Sequence, residues 1–113
     1  GFPGMVHTGA ARAGGENLTR TLAVEWAQYG ITTVALAPGF VSSSGTMQYP
    51  EELREMSRKM TPLKRWATVE EMAHLIVFMA SPVSHYVTGC TVKSDGGASL
   101  WGENWEIPEH DNG

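Results

Sequence analysis

The residues able to do chemistry in this chain do not form the compact motifs in which they usually act. No two glycines are separated by a single residue, so a Gly-x-Gly-x-x-Gly phosphate loop is absent, and so is the P-loop. No serine has glycine two residues away on both sides, which excludes a nucleophile elbow. The four histidines have no partner four residues away, so we expect no metal site; they are His7, His74, His85 and His110.

Composition excludes further classes of protein and site. The single cysteine, Cys90, rules out a disulfide framework and a cysteine-based zinc site, and we expect it to be a packing residue in a buried strand. A net charge of −4 without a basic run argues against nucleic-acid or anionic-membrane partners. No apolar run approaches the ~18 residues of a membrane span. No signal peptide is visible, so the expected location is the cytoplasm, or the peroxisome if the source is eukaryotic.

The hydrophobic pattern predicts the order helix, strand, helix, helix, strand. After a glycine-rich loop over 1–9, a helix is predicted over 10–29 and capped by Gly30. Its apolar stripe is expected to face the core, and a neighbouring stripe of small residues suggests a close helix contact. The apolar stripe is Leu18, Leu22, Trp26 and Tyr29, and the small one is Ala10, Ala13, Gly14, Asn17 and Thr21. Arg12, Glu16 and Arg20 are spaced to form ion pairs along a third face.

A mostly apolar strand over 31–37 follows and ends at Pro38-Gly39. The loop over 40–49 carries four hydroxyl residues, and Pro50 opens a short helix to about Lys59. Thr68 and Glu71 have the spacing of a capping box for a helix that runs to about Ala80. A last strand is predicted over 90–94, and residues 101–113, with Trp101 and Trp105, are expected to be a loose tail.

Two short strands separated by helices predict parallel strands in an α/β fold. A parallel sheet needs cover on both faces and neighbouring strands, which two strands cannot provide. Leu, Ile, Val and Phe make up only about a fifth of the chain, so the core is thin as well. With a first residue that is not methionine, these features lead us to expect a piece of a larger α/β domain.

The order of several short motifs resembles the C-terminal half of a short-chain dehydrogenase/reductase. The resemblance covers about residues 7–100 and is carried by AARAG, LTRTLAVEW, YGI, APG, PLKRW, EE, YVTG and DGG, in that order. It implies that residues 1–113 are the C-terminal half of one domain, an incomplete Rossmann-like doubly wound parallel sheet. No single motif decides this, but their order and spacing together are specific.

Two stretches are similar to particular members of that family. Residues 7–14 resemble the trans-2-enoyl-CoA and 2,4-dienoyl-CoA reductases, and residues 101–105 resemble bacterial relatives, including ones assigned to acyclic terpenoid breakdown. The resemblance implies an enzyme that reduces an enoyl-CoA or dienoyl-CoA double bond with NADP(H) or NAD(H). An alcohol or carbonyl dehydrogenase is the alternative, and a non-catalytic fragment that acts only in oligomer contacts is another.

The family's Tyr-x-x-x-Lys catalytic pair is absent from the chain. Alignment on the following Ala-Gly puts Thr8 at the tyrosine position and Arg12 at the lysine position, where the resemblance implies catalytic roles. Thr8 would donate a hydrogen bond to the thioester oxygen, and Arg12 would hold the ribose hydroxyls of the cofactor. A second register places Glu16 and Arg20 there, but a carboxylate cannot replace a phenol. The structural alternatives are Thr8 in the N-cap region of the helix and Arg12 as a solvated partner of Glu16.

Residues 38–43 match the family's Pro-Gly segment, which lies along the nicotinamide at the carboxyl end of a strand. The implied cofactor-binding residues are Pro38, Gly39, Phe40, Val41 and Ser43, although Pro-Gly is also an ordinary turn. Residues 42–59 resemble a mobile substrate lid whose Met47, Tyr49, Met56 and Met60 suit an acyl chain. The helix over 10–29 and the last strand resemble homodimer and homotetramer contacts.

Overall fold

The computed structural model describes residues 3–100 and 106–111. Its helices are α1 (Val6–Trp26), α2 (Glu51–Met60) and α3 (Val69–Ala80). Its strands are β1 (Ala35–Pro38), β2 (Val41–Ser42), β3 (Ala67–Thr68) and β4 (Thr91–Ser94). The described residues fall into two compact units, one made of the chain up to Leu36 with Val77–Val92, the other of Ala37–Ile76 with Lys93 onward.

The first helix starts four residues earlier than its pattern predicts. The carbonyl of Met5 accepts hydrogen bonds from the backbone N–H groups of Thr8 and Gly9, both at 3.1 Å, so the expected loop over 1–9 is wrong from Val6 onward. At its other end α1 tightens into a 3₁₀ turn over Ala27–Tyr29. Gly30 ends that turn with a φ of 72°, a conformation that glycine adopts without strain, as predicted.

The apolar stripe of α1 does not face a core within the described chain, so this prediction is wrong. Leu18 is 57% exposed and Tyr29 is 69% exposed, because no described element covers them. Instead α1 buries Ala23, whose Cβ lies 3.2 Å from the position that a Cβ on Gly89 would take. The ion pairs expected along the third face of α1 are also absent among the described residues.

Strands β1 and β4 pair in parallel. The backbone N–H of Ala35 donates to Cys90 O at 3.0 Å, and that of Gly39 donates to Ser94 O at 2.9 Å, so residue numbers rise together along both strands. The predicted strand over 31–37 is shortened at its start, where the N–H of Thr33 bonds the side-chain hydroxyl of Thr88 at 3.0 Å. A side-chain partner there replaces the regular ladder.

A second parallel pair was missed by the sequence analysis. Strand β2 pairs with β3 in the register Val41↔Ala67 and Ser42↔Thr68. Each strand has two residues, too few to show an alternating pattern. This pair joins the segment after β1 to the start of α3.

Both later helices begin where their local signals predict. Pro50 stands at the N-cap of α2 with Glu51 and Glu52 in the first turn. At α3 the hydroxyl of Thr68 accepts the Glu71 N–H at 3.1 Å, and the Glu71 carboxylate accepts the Thr68 N–H at 3.1 Å. This reciprocal pair is the predicted capping box.

The buried apolar core of the described residues is small and consists of Ala23 and Met72. Cys90 is exposed and precedes β4, so its prediction as a buried packing residue is wrong. The three helices and the two parallel strand pairs make the chain an α/β structure, as predicted. Within residues 3–100 and 106–111, no helix is both long and apolar enough to cross a membrane.

Part of the predicted loose tail, including Trp101 and Trp105, lies outside the described residues. The described stretch over 106–111 has no regular secondary structure, but within the second unit Glu109 contacts Arg58 and His110 contacts Pro62.

Candidate functional site

The segment over 38–43 begins at the carboxyl end of β1, and its second residue, Gly39, packs closely against the chain at Asp95. Gly39 packs so closely on Asp95 that a Cβ on Gly39 would lie 2.7 Å from the Asp95 Cα and 2.8 Å from its Cβ. Real Cβ contacts do not come this close, so the position requires glycine for the approach of two backbones. The need for Gly39 is explained within the chain, whether or not a ligand binds there.

Asp95 is itself held by the turn that follows it. One carboxylate oxygen accepts the Gly97 N–H at 3.0 Å and the other accepts the Ser99 N–H at 3.1 Å. Hydrogen bonding with Ser99 is the main reason that the pKa of Asp95 lies below its ordinary value. The turn needs glycine at Gly96 and Gly97, whose φ values are 63° and 88°. The Asp-Gly-Gly motif thus builds the surface on which Gly39 rests.

Phe40 stacks on Trp66, with ring centroids 5.6 Å apart and planes 17° from parallel. The indole N–H of Trp66 donates to the hydroxyl of Ser57 at 3.0 Å. Ser57 lies on α2 and is 5% exposed. Through Trp66, these two contacts connect the segment after β1 to the middle of α2. It was not foreseen, because nothing in the local sequence pairs Phe40 with Trp66.

Thr46 organises the hydroxyl-rich loop and was not singled out from the sequence. Its hydroxyl accepts the Ser43 N–H at 2.8 Å and lies 2.7 Å from the carbonyl of Val41, to which it donates. The Ser43 hydroxyl lies 3.2 Å from the Thr46 hydroxyl and accepts the Thr46 N–H at 3.4 Å. Ser43, a predicted cofactor ligand, is thereby already engaged within the loop.

An open groove of about 350 Å³ lies beside this segment in the second unit. Its walls are Ser42, Met47, Glu51, Arg54, Glu55, Arg58, Arg65 and Trp66. Arg58 is paired with Glu55 at 2.8 Å and Arg65 with Glu71 at 2.8 Å. Apolar surface from Met47 and Trp66 thus lies beside these two ion pairs.

Thr8 and Arg12 lie four residues apart on α1, so they share one face of that helix. Thr8 is half-buried and Arg12 is exposed. Thr8 is the third residue of α1, so it lies in the N-terminal turn of the helix, although α1 has no side-chain cap hydrogen bond. Arg12 has no ion pair with a described residue, so its expected pairing with Glu16 is wrong. The pair belongs to the first unit and residues 38–43 to the second, so the structure groups the predicted site residues as two clusters.

Residues 1–99 match a family model described as enoyl-(acyl carrier protein) reductase. The chain belongs to the short-chain dehydrogenase/reductase family. It is 41% identical over 97 residues to a 3-oxoacyl-(acyl-carrier-protein) reductase, FabG, of Thermotoga maritima, which covers 86% of this chain and 39% of that protein. It is 45% identical over 101 residues to a probable 2,4-dienoyl-CoA reductase of Bacillus subtilis, covering 86% and 40%.

A solved short-chain dehydrogenase from Bacillus anthracis superposes with a TM-score of 0.80 at 39% identity. The match covers 88% of this chain and 40% of that one. This short-chain dehydrogenase/reductase chain therefore spans about 40% of the length of the relatives it matches. The family and the Rossmann-like fold expected from the sequence are confirmed.

A nicotinamide carboxamide needs one hydrogen-bond donor and one acceptor from the protein. The Phe40 N–H and the Gly39 carbonyl make no hydrogen bond to a described residue, whereas Gly39 N–H and Phe40 O are used by β4 and β3. The free pair at the end of β1 fits that carboxamide. Ser43 fits less well, because a ligand there must compete with Thr46.

Among residues 3–100 and 106–111, no cluster of three or more His, Cys, Asp or Glu side chains could hold a metal ion.

Proposed function

We propose that the chain is the C-terminal part of an NAD(P)(H)-dependent oxidoreductase that reduces the double bond of an enoyl-CoA or dienoyl-CoA substrate. The observation that supports this proposal is that Thr8 and Arg12 lie one helical turn apart on α1. This is the spacing of the family's Tyr-x-x-x-Lys pair, with which the sequence resemblance aligns them. A similarity to a dienoyl-CoA reductase supports the same reaction class.

The chemistry explains why threonine suffices at Thr8. Reduction of a carbonyl must protonate the alkoxide as the hydride arrives, which calls for a tuned acid. Reduction of a conjugated double bond instead places negative charge on the thioester oxygen, which needs a hydrogen-bond donor. The Thr8 hydroxyl is such a donor. A nicotinamide, when bound, would supply the hydride, and a proton from water would complete the reduction at the α carbon.

Arg12 would orient the nucleotide. Its guanidinium is planar, stays charged and presents several N–H donors, so it can bond two neighbouring ribose hydroxyls. Arg12 is exposed and has no ion pair with a described residue, which leaves these donors available. At the end of β1, the Phe40 N–H and the Gly39 carbonyl would bind the carboxamide.

The lid residues would contact the acyl chain. Four apolar side chains in α2 and in the loop before it remain 41% to 53% exposed in this structure, namely Met47, Tyr49, Met56 and Met60. Flexible methionine side chains adapt to chains of different length. Burial of such a chain here would remove this apolar surface from water.

Two other functions have their own support. The similarity to a 3-oxoacyl reductase favours a carbonyl dehydrogenase. The small-residue stripe on α1 is open, since a Cβ on Gly14 would meet nothing within 4 Å. That surface favours an association role, in which a homodimer or homotetramer forms through α1 and the last strand.

The test is reduction by the complete polypeptide that contains this chain, followed as NADPH or NADH oxidation. Substrates are a trans-2-enoyl-CoA, a 2,4-dienoyl-CoA and a 3-oxoacyl thioester. We expect oxidation with the first two. Thr8→Val should lower kcat by about 100-fold, as expected for loss of one oxyanion donor, and Thr8→Ser should retain most activity.

Thr19→Val is the matched control, because Thr19 lies on the same helix and its hydroxyl bonds only the Gly15 carbonyl. Activity confined to the 3-oxoacyl thioester would replace the proposal with the carbonyl dehydrogenase. No activity with any substrate, together with a stable oligomer, would favour the association role.

A further inference from the structure

Arg58, in the last turns of α2, uses all five of its guanidinium N–H donors. Two donate to Glu55, from Nε at 3.0 Å and Nη2 at 2.8 Å. Two donate to Glu109, from Nη1 at 3.1 Å and Nη2 at 3.2 Å, and the fifth donates to the carbonyl of Lys64 at 3.0 Å. Because arginine has five N–H donors, none remains for another ligand. Glu109 is the distant member of this set, since it lies 51 residues further along the chain.

The residue after Glu109 makes a second, independent contact. A ring nitrogen of His110, Nε2, lies 2.9 Å from the carbonyl oxygen of Pro62. Pro62 belongs to the tight turn after α2, in which the Lys64 N–H donates to Thr61 O at 2.8 Å. Two adjacent tail residues therefore hold both the end of α2 and the turn that follows it.

Helix α2 buries little apolar surface, and its other side-chain hydrogen bonds join it to residues nearby in the chain, among them Tyr49, Thr61, Lys64 and Trp66. Its apolar side chains Leu53, Met56 and Met60 are 44%, 53% and 41% exposed, and its one buried residue is Ser57. Local stability depends on buried contacts, so a helix with so few of them opens easily unless other contacts restrain it. The contacts with Glu109 and His110 are such restraints.

The same helix forms a wall of the groove described above. Glu51, Arg54, Glu55 and Arg58 line that groove from α2, facing Ser42 and Trp66. The position of α2 therefore sets the width of the groove. Glu109 contacts Arg58 but does not itself line the groove.

We propose that the C-terminal segment over 106–111 is a clasp that holds α2 in place, with Glu109 and His110 as its positioning residues. Opening the clasp would release α2 and widen the groove. The effect on a substrate rests on the proposed function, whereas the effect on α2 does not.

The test measures amide hydrogen exchange of α2 by mass spectrometry in the complete polypeptide. Glu109→Gln keeps the side-chain shape but removes the charge, and we expect exchange within α2 to rise about threefold, as for an exposed ion pair. Adding His110→Ala should raise it about tenfold. The Glu109→Gln effect should shrink at 0.5 M salt, because the Arg58–Glu109 pair is partly exposed to solvent and is therefore screened by ions.

Glu106→Gln is the matched control, because Glu106 lies in the same segment and forms no hydrogen bond or ion pair with a described residue. Equal exchange in the Glu106 and Glu109 variants would overturn the clasp. So would a rise that is equally large in α1 and α3, since this would show a loss of global stability.

Kinetics separate the clasp from the proposed function. With an active substrate, Glu109→Gln should raise KM several-fold and leave kcat within about twofold, because α2 positions the substrate and does not touch the reacting atoms. An equal loss in kcat with no change in KM would contradict the clasp. If no substrate is reduced, the exchange experiment still decides on the clasp.

Discussion

Arg65 and Glu71 form a two-pronged ion pair, with Nη1 donating to Oε1 at 2.8 Å and Nη2 donating to Oε2 at 3.0 Å. The same carboxylate accepts the N–H of Thr68 at 3.1 Å, so one side chain both caps α3 and binds the strand before it. The bond from Arg65, and then the bond from Thr68, lower the pKa of Glu71 from 4.5 to about 2.

Glu71→Gln should therefore change how stability depends on pH. A carboxylate with a lowered pKa stabilises the fold fully above its unfolded pKa of 4.5, and this contribution is lost as the pH falls toward about 2. We expect the variant to be less stable than wild type at pH 7 and the difference to shrink between pH 4.5 and pH 2. Thermal unfolding across this range measures it.

Glu70→Gln provides the comparison for that experiment. Glu70 lies in the first turn of α3 and shares the favourable interaction with the helix dipole, but it is exposed and has no ion pair with a described residue. Its substitution should have only a small effect on stability, because it removes no ion pair with a described residue. Identical profiles for the two variants would show that the Arg65 contact does not stabilise the fold.

Gly39→Ala should destabilise the protein even without a ligand. The added Cβ would lie 2.7 Å from the Asp95 Cα, so one of the two strand ends must move. Overpacking of this kind costs about 1–3 kcal/mol. Thermal unfolding of the ligand-free protein measures the loss, and a substitution without effect would show that the two strand ends separate easily.

Gly15→Ala is the matched substitution with the opposite sign. Gly15 lies inside α1, and a Cβ there would meet nothing within 4 Å. Alanine in a helix interior is favoured over glycine by about 0.5–1 kcal/mol, so this variant should be more stable than wild type. A loss of stability would indicate that another surface closes on α1 at this position.

Features that depend on residues adjacent in the sequence were predicted correctly. Pro50 at the start of α2, the Thr68–Glu71 capping box and the αL conformation of Gly30 all follow from local chemistry, and all are confirmed. Such signals lie within a few residues of the element that they define. Their effect on the backbone does not require a large buried core, so the caps and turns form here although most of the apolar surface is exposed.

Features that depend on contacts between distant parts of the chain were either predicted wrongly or not predicted at all. The apolar stripe through Leu18 was expected in a core, but no described element covers it. The stack of Phe40 on Trp66 and the clasp from Glu109 to Arg58 join residues distant in sequence. A pattern within one element cannot reveal which other element it meets.

Ser57 and Trp66 allow a direct measurement of one such long-range contact. The Ser57 hydroxyl donates to the carbonyl of Arg54 at 2.8 Å and accepts the indole N–H of Trp66 at 3.0 Å. Ser57→Ala leaves that N–H without its partner, which should destabilise the fold by about 1–3 kcal/mol. Urea unfolding gives the free-energy change.

A double-mutant cycle isolates the hydrogen bond. Trp66→Phe removes the N–H and keeps an aromatic ring for the stack with Phe40. If the bond stabilises the structure, the variant with both substitutions should be more stable than the sum of the single effects predicts, by about 0.5–1.5 kcal/mol. Strict additivity would show that Ser57 and Trp66 contribute independently.

Thr46→Val tests the loop that bears Ser43. Valine keeps the shape of threonine but removes the hydroxyl that accepts the Ser43 N–H and donates to Val41 O. We expect NADPH affinity of the complete polypeptide, measured by fluorescence titration, to fall about tenfold, because two backbone groups lose their partner and the loop loosens. Thr46→Ser, which restores the hydroxyl, should bind within about threefold of wild type.

Ser44→Ala controls for the effect of removing any hydroxyl from this loop, because Ser44 is exposed and its hydroxyl makes no hydrogen bond with a described residue.

Two effects on NADPH binding oppose each other in Thr46→Val, since loss of the Thr46 hydroxyl also frees the Ser43 hydroxyl for a ligand. Tighter NADPH binding by Thr46→Val than by Ser44→Ala would mean that Ser43 reaches the nucleotide and that Thr46 competes with it. Weaker binding would mean that the order of the loop, which Thr46 provides, matters more than the Ser43 hydroxyl.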